Sequence, residues 1–354
     1  MGEAENIVVE TAERIFADLA DAQTINRDKK DGWKAPLWQA LSEAGLPLSW
    51  VAEEYGGSGA SMADGFAVLG AAGRSALPVP LAETMLAGWM LSQAKIASPE
   101  GEMTVAPAGP KDRITLNGDN TLSGRARGIP FAREARHIAV LAHDGSGKAS
   151  VALLDATKCR VESSLNLGGD NSDTVTFDRV APVAIKPAPE GFSLTSLLLM
   201  GAVVRSLQIA GSLESMLDIS VRYSNERVAF EKKISKFQAV QHNLAKLAGE
   251  SAAALAAATS AADAFAGGAP ADAAFLEAAS AKIRCSEAAE KAAAIAHQVH
   301  GAIGFTIEHI LHRYTLRALA WRDDFGSESY WAVELGKRVA ANGADELWPL
   351  VASR

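Results

Sequence analysis

The sequence predicts an α+β protein whose helices are segregated from its strands. An N-terminal helical domain is expected over residues 1–98, a middle antiparallel β domain over 99–190 and a C-terminal four-helix bundle over 191–354. Three observations support this. Apolar residues recur at three- and four-residue intervals up to about Gln93. The pattern then changes to short runs punctuated by Asn117-Gly118, Asp144-Gly145-Ser146-Gly147 and Gly168-Gly169-Asp170-Asn171, which are turn signals. From Phe192 onward the helical period returns, and alanine-rich stretches such as 252–258 leave room for close helix packing.

Within the first domain, Ile7, Val8, Thr11, Ile15, Phe16 and Leu19 define one helical face, and Leu37, Trp38, Leu41 and Ala44 a second that Gly45 ends. Residues 47–61 form a glycine-rich loop, without the preceding strand and following lysine that a phosphate loop needs. Ser61 is an N-cap with Asp64 three residues on, and a further helix follows Leu77-Pro78-Val79-Pro80. Strands are expected at 103–106, 113–116, 137–142, 149–154 and 174–177. Four long helices are expected at about 193–223, 236–265, 272–300 and 307–341, separated partly by Gly267-Gly268-Ala269-Pro270.

A chain of 354 residues with 48% hydrophobic and 21% charged residues can bury a large core. A net charge of −8 argues against general affinity for nucleic acid or anionic membrane, so an anionic ligand would need a local basic site. Cys159 and Cys285 are too far apart in pattern for a disulfide framework or a cysteine metal site. The acidic start lacks the basic-then-apolar form of a secretory signal, and the apolar runs 197–204 and 252–258 are too short or too alanine-rich for a span. The expectation is a soluble, cytoplasmic protein.

Candidate chemistry concentrates between Arg222 and His242. Tyr223, Arg227 and Phe230 recur on one helical face, and Lys232, Lys233 and Lys236 gather where the next helix begins. Such a place suits an anion such as a phosphate, although a solvated charged loop explains it equally. His297 and His300, with His309 and His312, lack the Glu-x-x-His spacing of a di-metal bundle, so no metal is expected. The run Gln298-Val299-His300-Gly301-Ala302-Ile303-Gly304-Phe305 reads as a glycine-capped helix end, or as a place where a ligand approaches the backbone beside the Gln298 amide.

Together these segments resemble the acyl-CoA dehydrogenase family over nearly the whole chain. The resemblance rests on the loop carrying Glu53-Glu54-Tyr55-Gly56-Gly57, on Arg227-Val228-Ala229-Phe230 followed by Phe237-Gln238, and on Gln298-Val299-His300-Gly301. It implies FAD as cofactor and oxidation of the Cα–Cβ bond of an acyl-CoA. A carboxylate takes the α proton and the β hydrogen leaves as hydride to flavin, with an electron-transferring flavoprotein as acceptor. It further implies that Arg227, Phe230, Phe237, Gln238, Gln298 and Gly301 hold the adenosine and pyrophosphate half of a neighbouring subunit's FAD, with His300 and Ser327 as further cofactor-binding positions.

The departures from the family are as informative. Its Phe-Gly-Arg-Pro-Ile is here Phe230-Glu231-Lys232-Lys233-Ile234, which keeps charge without the bidentate fork. The family's Thr-Glu-Pro…Gly-Ser-Asp has no match between Gln93 and Arg113, and its Trp-Ile-Thr falls on Gly128-Ile129-Pro130. The two family positions for the base become Phe325 and Gly201, leaving Asp324 or Asp323 as substitutes. This pattern resembles subunits of heteromeric acyl-CoA dehydrogenases that act on bulky, steroid-derived thioesters. The chain is then either a catalytic subunit of a heterotetramer or a non-catalytic partner that completes the FAD adenosine site of another chain.

Overall fold

The computed structural model describes residues 3–28 and 30–352. Helices α1 (Glu3–Leu19), α2 (Ala22–Arg27), α3 (Lys34–Glu43), α4 (Met62–Arg74) and α5 (Leu81–Gln93) form the first layer. Local chemistry sets their ends as the sequence leads one to expect. Gly45 takes φ 69° just after α3, and Ser61 and Asp64 form a reciprocal capping box at the start of α4. Helix α5 is apolar almost all round because it is buried between the helical layer and the sheet.

The middle of the chain forms β1 (Met103–Ala106), β2 (Arg113–Leu116), β3 (Leu122–Pro130), β4 (His137–His143), β5 (Ala149–Asp155), β6 (Arg160–Glu162), β7 (Ser172–Val180) and β8 (Ala184–Pro187). Their order is β6-β7-β3-β2-β4-β5-β8, with β1 also on β4. The sheet is mixed rather than wholly antiparallel, since β1 and β2 run parallel to β4. The hairpin after β2 reverses the chain into β3 and the turn at 131–136 reverses it again, so β4 returns in the direction of β1. The long strand β3 escaped the alternation test because Gly124 and Gly128 interrupt it and its register shifts twice against β7.

Helix α6 (Leu194–Glu226) is the axis of the C-terminal domain and contacts α4, α5 and three later helices. It is longer and more apolar than the sequence reading allowed, long enough by composition to cross a membrane. Instead, 83% of its apolar window is buried inside the protein, as a core helix requires. Its crossing with α4 depends on glycine: a Cβ on Gly73 would stand 2.3 Å from the Gln208 carbonyl oxygen, and one on Gly211 2.3 Å from that of Gly70.

Two expectations about this domain are corrected. The turn after α6 is a β-hairpin, β9 (Val228–Ala229) with β10 (Lys232–Lys233), closed by Phe230 and Glu231 at φ 52° and 63°. Positive φ at both loop positions is the geometry of a two-residue hairpin turn, which normally selects glycine or asparagine. After α7 (Gln238–Ala266) and α8 (Ala271–His300), the expected fourth helix is broken into α9 (Leu311–Trp321) and α10 (Glu328–Asn342), followed by α11 (Leu347–Ala352). The break falls at Phe325 and Gly326, with φ of 55° and 96°, where the sequence reading had sought a catalytic base.

Candidate functional site

The sequence-derived candidates separate into an open group beyond the C-terminal end of α6 and a closed group beside its N-terminal half. At the open end, the Tyr223 hydroxyl donates to the His300 carbonyl at 3.3 Å and the two rings stack at 4.3 Å. This ties the end of α6 to the end of α8 and so brings the hairpin and the Gln298–Gly301 segment to one face. Phe230 at the hairpin tip is 90% exposed, with its ring 6.3 Å from that of Phe237, over which the Lys232 ammonium sits at 4.4 Å. Arg227, Gln238, Gln298 and Gly301 are exposed, and Arg227 makes no ion pair among the described residues. Phe305 and Ile307, 70% and 73% exposed, extend the same surface beyond α8.

His300 and Ser327, expected as cofactor-binding positions, make contacts within the chain. The His300 ring is 4% exposed, lies within the subunit and pairs its Nδ1 with the Ala296 carbonyl at 2.8 Å. Its position pushes its pKa down to about 4, chiefly through burial. Its ring stacks on that of Tyr223, and its Cβ lies close beneath Gly304. The Ser327 hydroxyl accepts from the Tyr330 amide and caps α10.

The closed group surrounds Arg205, which is 2% exposed. Its guanidinium donates to Glu83 and to Gln208, each at 2.5 Å, and to Asp324 at 2.9 Å. Glu83 is itself 1% exposed, and burial raises its pKa against the opposing pull of Arg205. Asp324, expected as a base, is therefore committed to a buried ion pair rather than presented to a cavity. Asp323 is exposed. Phe325 is 0% exposed, and its ring fills the space beside Gly201: a Cβ there would stand 2.2 Å from the ring. The two family base positions thus lie against each other, one without a side chain and the other with an apolar one.

Lys282 completes this region. It is fully buried, donates from Nζ to the Trp321 carbonyl at 2.5 Å, and has its pKa lowered to about 7, chiefly by burial. The flavin-ring side is equally bare. Gly128-Ile129-Pro130 ends β3 without ring or hydroxyl, and the Pro130 carbonyl is occupied by the Thr104 hydroxyl at 2.7 Å. The open end thus presents an exposed cation, two neighbouring aromatic rings and side-chain amides, whereas the closed end presents paired charges and packed apolar groups.

Arg205, Glu83, Lys282 and the role of Phe325 were missed by sequence reasoning. A signal existed for the first two: Arg205 interrupts an apolar helix, and Glu83 opens one, and a charge placed so must find a partner.

Family models described as acyl-CoA dehydrogenase, N-terminal domain, and acyl-CoA dehydrogenase, C-terminal domain, match residues 2–97 and 191–330. An acyl-CoA dehydrogenase of Mycobacterium tuberculosis, IpdE2, is 29% identical over 290 residues, covering 81% of each chain. Among solved structures, the ChsE4-ChsE5 complex from Mycobacterium tuberculosis matches with a TM-score of 0.85 and 23% identity, over 97% of this chain and 99% of that one. A variant of the steroid acyl-CoA dehydrogenase Tcur3481-Tcur3483 matches with a TM-score of 0.84 and 25% identity, over 96% and 99% of the respective chains.

Proposed function

Given that this chain belongs to the acyl-CoA dehydrogenase family, whose cofactor is FAD, we propose that it is the partner subunit of an unlike-chain dehydrogenase. It completes the FAD site of a companion chain, and the companion supplies the base. The single observation that carries this reading is the contact between Phe325 and Gly201, which leaves neither family base position with a carboxylate and no space between them for an acyl chain. The substrate of the complex is a bulky acyl-CoA, of steroid origin by analogy with the named relatives.

In this reading Arg227 pairs with the pyrophosphate, as a guanidinium with no internal partner can. Phe230 and Phe237 cover the adenine, Gln238 and Gln298 offer side-chain amides, and Gly301 admits close backbone approach. When bound, FAD supplies the two-electron acceptor for the β hydrogen. This chain's residues orient it and exclude water from its nucleotide half, while proton abstraction belongs to the companion. An electron-transferring flavoprotein then takes the electrons.

A second reading keeps a base in this chain, and the exposure of Asp323, which forms no ion pair among the described residues, favours it. Purification of the chain alone and with a companion lacking nothing of the Thr-Glu-Pro, Trp-Ile-Thr and Glu-Gly-Thr elements separates the two. The partner reading expects a colourless lone chain, stoichiometric flavin in the complex and unchanged kcat in D323N. A lone chain that binds one flavin and turns over acyl-CoA overturns it, and a collapse of kcat in D323N favours the second.

A further inference from the structure

A cavity of about 600 Å³ opens between the α2–α3 turn, the end of β3, the β6–β7 loop and α9. None of the residues that carry the family resemblance lines it. Charged side chains dominate its wall, and nearly all of them are matched. Arg317 is held by both oxygens of Asp170 at 2.7 Å, and Arg133 by Asp173 at 2.8–3.2 Å. Lys34 lies 3.1 Å from Asp31 and 3.4 Å from Glu134. The Asp28 carboxylate accepts the backbone amides of Lys30 and Gly32.

Arg313 is the exception. Its guanidinium lines the cavity and makes no side-chain hydrogen bond or ion pair among the described residues. Burial first, and the neighbouring Arg317 second, bring its pKa down to about 10. An arginine does not give up its proton in a protein, so a half-buried guanidinium beside another cation is held at a cost that an anion would relieve. At the same wall, the Trp33 indole is nine-tenths buried. The lining carries four carboxylates, Asp28, Asp31, Glu134 and Asp170, and four cations, of which Arg313 alone has no carboxylate partner among the described residues, with Trp33 and Phe131 beside them.

We propose that this cavity binds the oxyanion of a small ligand, a carboxylate or a phosphate, with Arg313 as its principal partner and the Trp33 and Phe131 rings beside its apolar part. A guanidinium offers two parallel donors to either group. The site is a second one, independent of the flavin half-site.

The test is calorimetric titration of the full chain with inorganic phosphate and with succinate, each against chloride at equal ionic strength. Saturable binding of one of them is expected, and which one binds identifies the ligand's anionic group. R313Q is expected to weaken that binding at least tenfold while melting no lower than wild type, because it removes an unpaired charge. Should R313Q fail to fold, R313K serves, since lysine lacks the fork and is expected to weaken binding several-fold. Absence of saturable binding by either anion, or unchanged affinity in R313Q or R313K, overturns the proposal.

Discussion

Arg205 in the N-terminal half of α6 and the hairpin beyond its other end, roughly 33 Å apart along the helix, sit among polar groups treated in opposite ways. The Arg205 guanidinium finds all its partners inside the chain, with Glu83, Gln208 and Asp324 closing the set. Around Arg227 the charges and rings are left facing outward, with Phe230 almost wholly exposed. A large aromatic side chain in water forgoes roughly 1.5–3 kcal/mol of burial, and a hairpin tip held in strained backbone by design of its neighbours needs something to cover it. The difference teaches that one end has been finished as core and the other kept as a surface for another molecule.

The largest effect should come from breaking the closed end. Removing the guanidinium in R205M leaves Glu83 and Asp324 buried without a counter-charge, and should cost about 3–5 kcal/mol in urea denaturation. Adding E83Q and D324N to it should restore part of the loss. A catalytic cluster, by contrast, would show its main loss in turnover. Lys282 gives a second handle. Its folded pKa of about 7 lies below that of an unfolded lysine, so between about pH 7 and 10.5 the unfolded chain binds more protons. Stability should therefore rise with pH across that window, by on the order of 4–5 kcal/mol. K282M should flatten the slope of denaturation free energy against pH.

At the open end the expected effects fall on binding. R227A and F230A should each lower flavin retention by the complex about tenfold, or ~1.4 kcal/mol, while changing the melting of the lone chain by less than about 0.5 kcal/mol. An absorbance ratio after gel filtration reads the first, and thermal unfolding the second. A large loss of lone-chain stability in either variant would mean that the hairpin belongs to the core after all. A pH-dependent effect concerns His300, whose folded pKa of about 4 lies below that of an unfolded histidine. Stability contributed there is present above about pH 6.5 and is lost as pH falls toward 4. Amide exchange near Gly301, corrected for intrinsic rates, should speed up by on the order of a hundredfold over that range, and H300N should lessen the dependence, with the lowered pKa values of His297, His309 and His312 accounting for the rest.

Much of the fold was legible because it is written locally. The capping box at Ser61 and Asp64, the stop at Gly45 and the return of helical period after Phe192 each depend on neighbours a few residues apart. What escaped depends on distance or on backbone that composition hides. Arg205 and Glu83 are 122 residues apart, and no periodicity links them. Phe230, Glu231 and Phe325 take positive φ without being glycine, so neither the hairpin nor the break between α9 and α10 announced itself. The exposure of the candidates at the open end was readable because the hairpin and the end of α8 are punctuated by charges and glycine. The base candidates near Asp324 were not, because an aspartate beside an expected site looks the same whether it faces a cavity or an arginine.

The Phe325 ring beside Gly201 also locks both positions against a one-step change. Restoring a carboxylate at Gly201 alone would drive its Cβ into the ring. A glutamate at Phe325 alone would place a third carboxylate beside Arg205, already shared by Glu83 and Asp324. At neither position can a single substitution place a carboxylate without disturbing this packing or this ion-pair set.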